Sequence, residues 1–188
     1  MDLGTFARLC GTSMAAFGLA GVLIACRSEM DGASRSSKAE TTSCDGGASC
    51  PSARFVGTLS GDTGDGGLST TGTTSTWLHL RVTEDNDDFN GRPVRLRARL
   101  VAPSTGTFEL RAHFDDSRND DAGLECARLV ATSSPLDGGA LLDLAWGDPP
   151  DATANGADDG RTVALEVRSV SGTCAAGASW RLDLRGNP

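Results

Sequence analysis

Residues 94–114 read VRLRARLVAPSTGTFELRAHF, and this stretch decides the fold. Apolar side chains occupy every second position on both sides of a turn at residues 102–106 (APSTG). The apolar positions are Val94, Leu96, Ala98, Leu100, Phe108, Leu110, Ala112 and Phe114. A period of two predicts strands with one buried and one solvated face, an arrangement typical of antiparallel sheets.

The same alternation recurs along the chain, between turns rich in Gly, Pro, Asp and Ser. It is found in residues 77–82, 142–146, 163–168 and 180–185, with shorter candidates at 55–59 and 127–133. Nothing after Cys26 keeps a helical period. About eight short strands in one domain of residues 55–188 predict an all-β fold: an antiparallel two-sheet β-sandwich of jelly-roll-like form.

The N-terminal part of the chain has a different composition. Residues 14–25 form a twelve-residue apolar run. This is shorter than the roughly 20 residues needed to span a bilayer, but it suits the hydrophobic region of a secretory signal. Residues 27–54 are rich in Ser, Gly and charge and show no periodicity. Such a composition buries too little apolar surface to offset ordering, so it predicts a flexible, disordered tether.

Leu23-Ile24-Ala25-Cys26 resembles the lipobox of bacterial lipoproteins. The resemblance implies a signal peptide over residues 1–25, cleavage before Cys26, and fatty acids such as palmitate on Cys26, the first residue of a lipidated tether over residues 26–54. Two or more acyl chains hold a protein stably on a membrane. Because Arg27 rather than Asp follows the cysteine, the resemblance favours the outer membrane, with the domain facing the periplasm or the cell surface. The alternative is an ordinary cleaved signal with an unmodified cysteine.

Four cysteines lie beyond Cys26, and an even number in an exported chain predicts disulfides. They are Cys44, Cys50, Cys126 and Cys174. The simplest pairing is Cys44–Cys50 and Cys126–Cys174, which keeps one bridge in the tether and one in the domain, but two other connectivities are open. Metal ligation is the rival interpretation, although Cys-x₅-Cys matches no common zinc spacing.

Acidic residues dominate the domain and give the chain a net charge of −8. If strands run alternately up and down, the loops 84–93, 115–125 and 147–161 share one pole, and Asp62 lies at the other. Clustered carboxylates are the oxygen ligands that Ca²⁺ takes. The candidate calcium ligands are Asp85, Asp87, Asp88, Asp115, Asp116, Asp120, Asp121, Asp158 and Asp159. The other interpretation is that Asp here forms turns and keeps an exported protein soluble.

The sequence also indicates what the domain does not do. A net acidic domain argues against nucleic acid as a partner. No Gly-x-Ser-x-Gly, phosphate loop or His-Glu-x-x-His is present, so we predict a non-enzyme, with a two-carboxylate glycosidase as the less favoured alternative. Arg95, Arg97 and Arg99 are predicted to form a solvated face with cross-strand ion pairs, in preference to an anion site.

Several segments between residues 55 and 187 resemble the bacterial pre-peptidase C-terminal domain. The matching segments are 57–64 (GTLSGDTG), 77–84 (WLHLRVTE), 96–114, 163–168 (VALEVR), 171–174 (SGTC) and 180–184 (WRLDL). The resemblance implies a β-sandwich that accompanies secreted peptidases, with calcium or matrix binding in some similar modules. We therefore predict a non-enzymatic envelope lipoprotein that displays a binding module for a glycan or an envelope protein. The alternatives are a purely structural envelope protein, an accessory subunit of a secreted or surface enzyme, or a small hydrolase using loop carboxylates.

Overall fold

The computed structural model describes Cys44 and residues 46–85, 91–114, 123–150, 153, 156–172, 174 and 178–188. All of them belong to the compact unit Ala39–Pro188. They form a 3₁₀ helix at Cys50–Ser52 and the strands β1 (Arg54–Ser60), β2 (Gly67–Gly72), β3 (Thr76–Thr83), β4 (Pro93–Val101), β5 (Gly106–His113), β6 (Leu129–Thr132), β7 (Ser134–Leu136), β8 (Gly139–Gly147), β9 (Arg161–Gly172) and β10 (Trp180–Gly186). No helix in this part of the chain is both long and apolar enough to cross a bilayer.

The strands form two five-stranded sheets. Sheet A has the order β1-β3-β9-β5-β6, and sheet B has the order β2-β10-β4-β8-β7. Neighbouring strands are antiparallel except β1 and β3, which are parallel. Apart from the edge strands β1 and β7, the chain passes between the sheets in the order of a jelly roll. The predicted all-β two-sheet sandwich is confirmed.

The core consists of the inward side chains of both sheets, and these are the apolar positions of the alternating runs. Leu78, Leu96 and Leu110 are fully buried, as are Leu165 and Leu182. Their outward neighbours along each strand are mostly half-buried or exposed. Side chains on a strand point alternately to opposite faces, so the apolar residues at every second position all lie on the buried face.

Two strands, β2 and β7, were not predicted from the sequence. β2 has the sequence GLSTTG, whose small and polar residues carry little apolar alternation. The predicted strand at 127–133 contains β6 of sheet A, whereas β7 of sheet B begins after it, at Ser134, and was not predicted. Because β2 intervenes between β1 and β3, those two strands run in the same direction. Ser60 at the end of β1 therefore pairs with Thr83 at the end of β3.

The disulfides join Cys44 to Cys174 and Cys50 to Cys126. The disulfide prediction is confirmed, but the simplest pairing was wrong. Both bridges join the predicted tether to the domain instead of closing loops within each. The described part of that predicted tether, Cys44 with residues 46–54, therefore belongs to the folded unit. We call Cys44 together with residues 46–53 the strap.

Candidate functional site

The strap lies across the outer face of sheet A. The backbone N–H of Ser75 donates to the carbonyl of Cys44 (2.7 Å), and Nδ1 of His79 lies 3.0 Å from the carbonyl oxygen of Ala53. Between strap and sheet is a cavity of about 210 Å³, lined in part by Gly46, Ala48, Trp77 and Glu166. The strap leaves this face of sheet A partly covered.

His113, at the end of β5, is buried. Its ring packs against that of Trp77, with 5.0 Å between centroids. Burial lowers the pKa of His113, and the nearby carboxylate of Glu166 opposes this shift. The ring of His79 packs against Phe55 instead, and its Nδ1 contacts the strap.

A cluster of carboxylates lies at the acidic pole, where β3, β5 and β8 end and β4 and β9 begin. The described acids there include Asp62, Glu84, Asp85, Asp148, Asp158 and Asp159. Oδ1 of Asp62 accepts a hydrogen bond from the backbone N–H of Asp85 (3.0 Å). Oε2 of Glu84 accepts one from the backbone N–H of Asp159 (2.6 Å). These bonds connect the loops, so the acids stabilise the turns of this pole.

Asp62 is thus at the acidic pole, and its predicted position at the opposite pole was wrong. The error follows from the missed strand β2, which reverses the chain once more before β3. Asp62 is buried, and its carboxylate also accepts a hydrogen bond from the hydroxyl of Ser60 (3.2 Å).

Glu84 has a perturbed carboxyl group. Burial raises its pKa, although the hydrogen bond from the backbone of Asp159 opposes this shift. The charges of Asp159, Asp62 and Asp158 raise the pKa further. Asp159 is itself buried, with Oδ1 located 3.6 Å from Nη2 of buried Arg161. Nη2 of Arg81 lies 3.8 Å from a carboxylate oxygen of Asp158, which adds a second ion pair to this cluster.

The structure describes only three of the predicted calcium ligands. Asp85, Asp158 and Asp159 lie at the acidic pole, whereas Asp87, Asp88, Asp115, Asp116, Asp120 and Asp121 fall outside the described residues. Within the described ranges, no three His, Cys, Asp or Glu side chains form a group that could hold a metal ion. Calcium binding stays a prediction.

The second candidate surface is on the outer face of sheet B. An open groove of about 730 Å³ crosses β2, β10, β4, β8 and β7. Its lining comprises Gly67, Leu68, Ser69, Arg97, Arg99, Leu136, Leu141, Arg181, Asp183 and Arg185. We call it the arginine groove. Arg95 continues the row of arginines along β4 and lines an adjoining recess with Arg97 and Asp143.

Two arginines of this face are held by carboxylates. Nε and Nη2 of Arg97 donate to the two oxygens of Asp143 on β8 (2.6 and 3.3 Å), which confirms a predicted cross-strand ion pair. Arg181 donates to both oxygens of Asp183 at 2.7–3.0 Å. The hydrogen bonds from Arg181 lower the pKa of Asp183, and the charge of Arg99 lowers it further.

The remaining arginines leave this face with excess positive charge. Arg185 lies directly opposite Arg97 in the register of β10 and β4, and like charges in that position repel. Neither Arg185 nor Arg95 has a side-chain ion pair with any described residue. Five arginines on β4 and β10 thus face two aspartates.

The outer face of sheet A differs in how its arginines are paired. Nη2 of Arg111 lies 2.8 Å from a carboxylate oxygen of Glu109, and Nη1 lies 4.0 Å from one of Glu166. Arg168 also pairs with Glu109, at 3.6 Å. Arg111 and Arg168 of sheet A thus have carboxylate partners on their own sheet, whereas Arg95 and Arg185 of sheet B have none among the described residues.

Comparison with known proteins does not assign this chain to a family. No protein-family model matches the chain, and no curated protein matches it either. The candidate sites therefore depend on the residues themselves.

The sequence contained one signal for the arginine groove. Arg95, Arg97 and Arg99 alternate on β4, and Arg181 and Arg185 alternate on β10. The prediction of a solvated face was made from β4 alone, because the adjacency of β4 and β10 cannot be read from the sequence. The structure places both rows on one face beside a groove.

Proposed function

We propose that this protein is a non-enzymatic lipoprotein of the bacterial outer membrane, held by lipid at Cys26, whose sandwich binds a negatively charged envelope partner in the arginine groove. The supporting observation is the excess of five arginines over two aspartates on the outer face of sheet B. The chain as a whole carries a net charge of −8. A positive patch on an acidic protein is local, so it favours a ligand that engages that patch alone.

The chemistry of the groove indicates carboxylates as the groups it recognises. The guanidinium of Arg97 binds the carboxylate of Asp143 through two nitrogens, the fork geometry that suits planar anions. Arg99 and Arg185 present the same group towards the groove. An anion placed between Arg97 and Arg185 would also relieve the repulsion between them. Nucleic acid is disfavoured because the acidic remainder of the domain repels a long polyanion.

The binding experiment uses the full-length protein, purified in mild detergent, with polygalacturonate and poly-Glu as carboxylated probes. In an Arg99→Gln/Arg185→Gln variant, the affinity for a probe that binds should fall at least tenfold. The matched control is Arg81→Gln/Arg168→Gln, which removes the same charge from sheet A and should change affinity less than twofold. Binding should also weaken as salt rises. Equal losses in the two variants would contradict the groove as the site.

The lipid anchor is tested separately by labelling growing cells with a palmitate analogue. Label should attach to the wild-type protein and be absent from a Cys26→Ser variant. Label retained by the variant would refute attachment at Cys26. The alternative roles predict different results in the binding experiment. A structural or accessory protein would bind neither polygalacturonate nor poly-Glu. A hydrolase would show turnover that is lost when loop acids such as Glu84 are changed.

A further inference from the structure

The arrangement of arginines on sheet B has a regular spacing. Arg95, Arg97 and Arg99 are alternate residues of one strand, so successive Cα atoms of the row are about 6.8 Å apart. All three are exposed. On the neighbouring antiparallel strand, Arg185 is level with Arg97, and Asp183 is level with Arg99. At the level of Arg97 two arginines therefore meet one aspartate, Asp143, and at the level of Arg95 the arginine lies opposite Ala145, so each of these levels has an excess of positive charge.

An extended polypeptide has the same repeat as the strand beneath it. Its side chains at positions i and i+2 point to one side and are about 6.8 Å apart. Acidic residues at alternate positions would consequently place one carboxylate over Arg95 and the next over Arg97. Directly opposite residues in an antiparallel pair have Cβ atoms about 5 Å apart. One carboxylate can therefore contact both Arg97 and Arg185.

We propose that the occupant of the arginine groove is an extended acidic segment of a partner protein, with carboxylates on alternate residues. The segment runs along β4 and β10, and one of its carboxylates bridges Arg97 and Arg185. The inference depends on the proposed function, because it names the ligand of the same groove. The charge balance supports it: Asp183 lies opposite Arg99 and repels a ligand carboxylate at that level, whereas Arg95 has no acidic residue opposite it on β8.

The test compares two twelve-residue peptides, each with four Glu and eight Ser. In the first peptide the Glu residues occupy positions 3, 5, 7 and 9, and in the second they occupy positions 2, 5, 8 and 11. Both carry the same charge, but only the first places neighbouring carboxylates on one side of an extended chain. Calorimetric titration of the full-length protein in detergent should give about tenfold tighter binding for the first peptide.

The variant Arg185→Gln should remove this preference, because it removes one of the two bridging arginines. Arg168→Gln on sheet A is the matched control and should retain it. Since both substitutions replace exposed side chains, unfolding midpoints in urea should stay close to the wild type and show that each variant is folded.

Three results would overturn the inference. Equal affinity for the two peptides would show that the groove recognises the charge of the peptide but not the spacing of its carboxylates. Binding of polygalacturonate without either peptide, when it depends on Arg185, would refute the peptide ligand while leaving the proposed function intact. Failure to bind the peptides and both carboxylated polymers would refute the proposed function together with the inference.

Discussion

Removal of the Cys50–Cys126 disulfide should destabilise the domain strongly. The two cysteines are 76 residues apart in sequence. The chain-entropy relation for a loop of that length gives a loss of about 4.5 kcal/mol in the free energy of unfolding. Measured losses are commonly somewhat smaller, so we expect about 3–4 kcal/mol and a drop in melting temperature on the order of 10 °C.

The measurement is equilibrium unfolding in urea of the Cys50→Ser/Cys126→Ser variant, followed by tryptophan fluorescence. Because the unfolded variant is less constrained, it should expose more surface on unfolding, and the slope of free energy against urea should increase. In the companion variant Cys44→Ser/Cys174→Ser the bridge Cys50–Cys126 stays closed, so the loop that is opened runs only through residues 44–50 and 126–174. The same relation gives a loss of about 4 kcal/mol for it, so the two variants should behave alike.

A loss below 1 kcal/mol with an unchanged slope would refute this reasoning. It would show that the unfolded chain is restricted by something other than the bridge. A large difference between the two variants would show that native contacts of the strap, such as those of Ala53 with His79, outweigh chain entropy. Reduction of the wild-type protein should lower its stability at least as far as either variant, because it opens both bridges.

Two further predictions concern the acidic pole. Glu84→Gln should raise the unfolding midpoint at pH 7, because folding raises the pKa of this carboxyl and so disfavours its charged form. The gain over wild type should be absent below the ordinary carboxyl pKa of about 4.3 and should grow as pH rises through the raised pKa; a gain that is constant with pH would contradict the assigned cause. Asp159→Asn should cost about 3 kcal/mol in urea unfolding because it leaves the buried guanidinium of Arg161 without its described ion-pair partner. Asp159→Asn/Arg161→Met should recover part of that loss, and an equal or larger loss in the double variant would show that the pair is not the cause.

Much of the fold could be predicted because burial in a strand is a local property. Leu96 and Leu110 alternate with polar neighbours, and the backbone geometry of a strand sends alternate side chains to opposite faces. This holds whichever strands are neighbours, so the sequence identified the core positions and the sandwich class. The prediction failed at β2, because residues Gly67–Gly72 are mostly small and polar and show little alternation of apolar and polar side chains.

The candidate sites were predicted less well, because each depends on which distant residues become neighbours. Backbone hydrogen bonds between strands are chemically alike, so nothing local in Arg97 or Arg185 identifies the other as its neighbour. The same limit applies to Cys50 and Cys126, and to Asp62, whose pole was set by an undetected strand.

The sequence by itself thus determined the alternating core of residues 55–188, the presence of disulfide-forming cysteines and the excess of acid. Only the tertiary structure decided the strand order, the cysteine partners, the strap over sheet A and the gathering of five arginines on sheet B. The physical reason is the separation in sequence of the residues involved. Alternation is a property of neighbouring residues along one strand, whereas strand pairing and charge balance arise only when the core packs segments that are far apart in the chain.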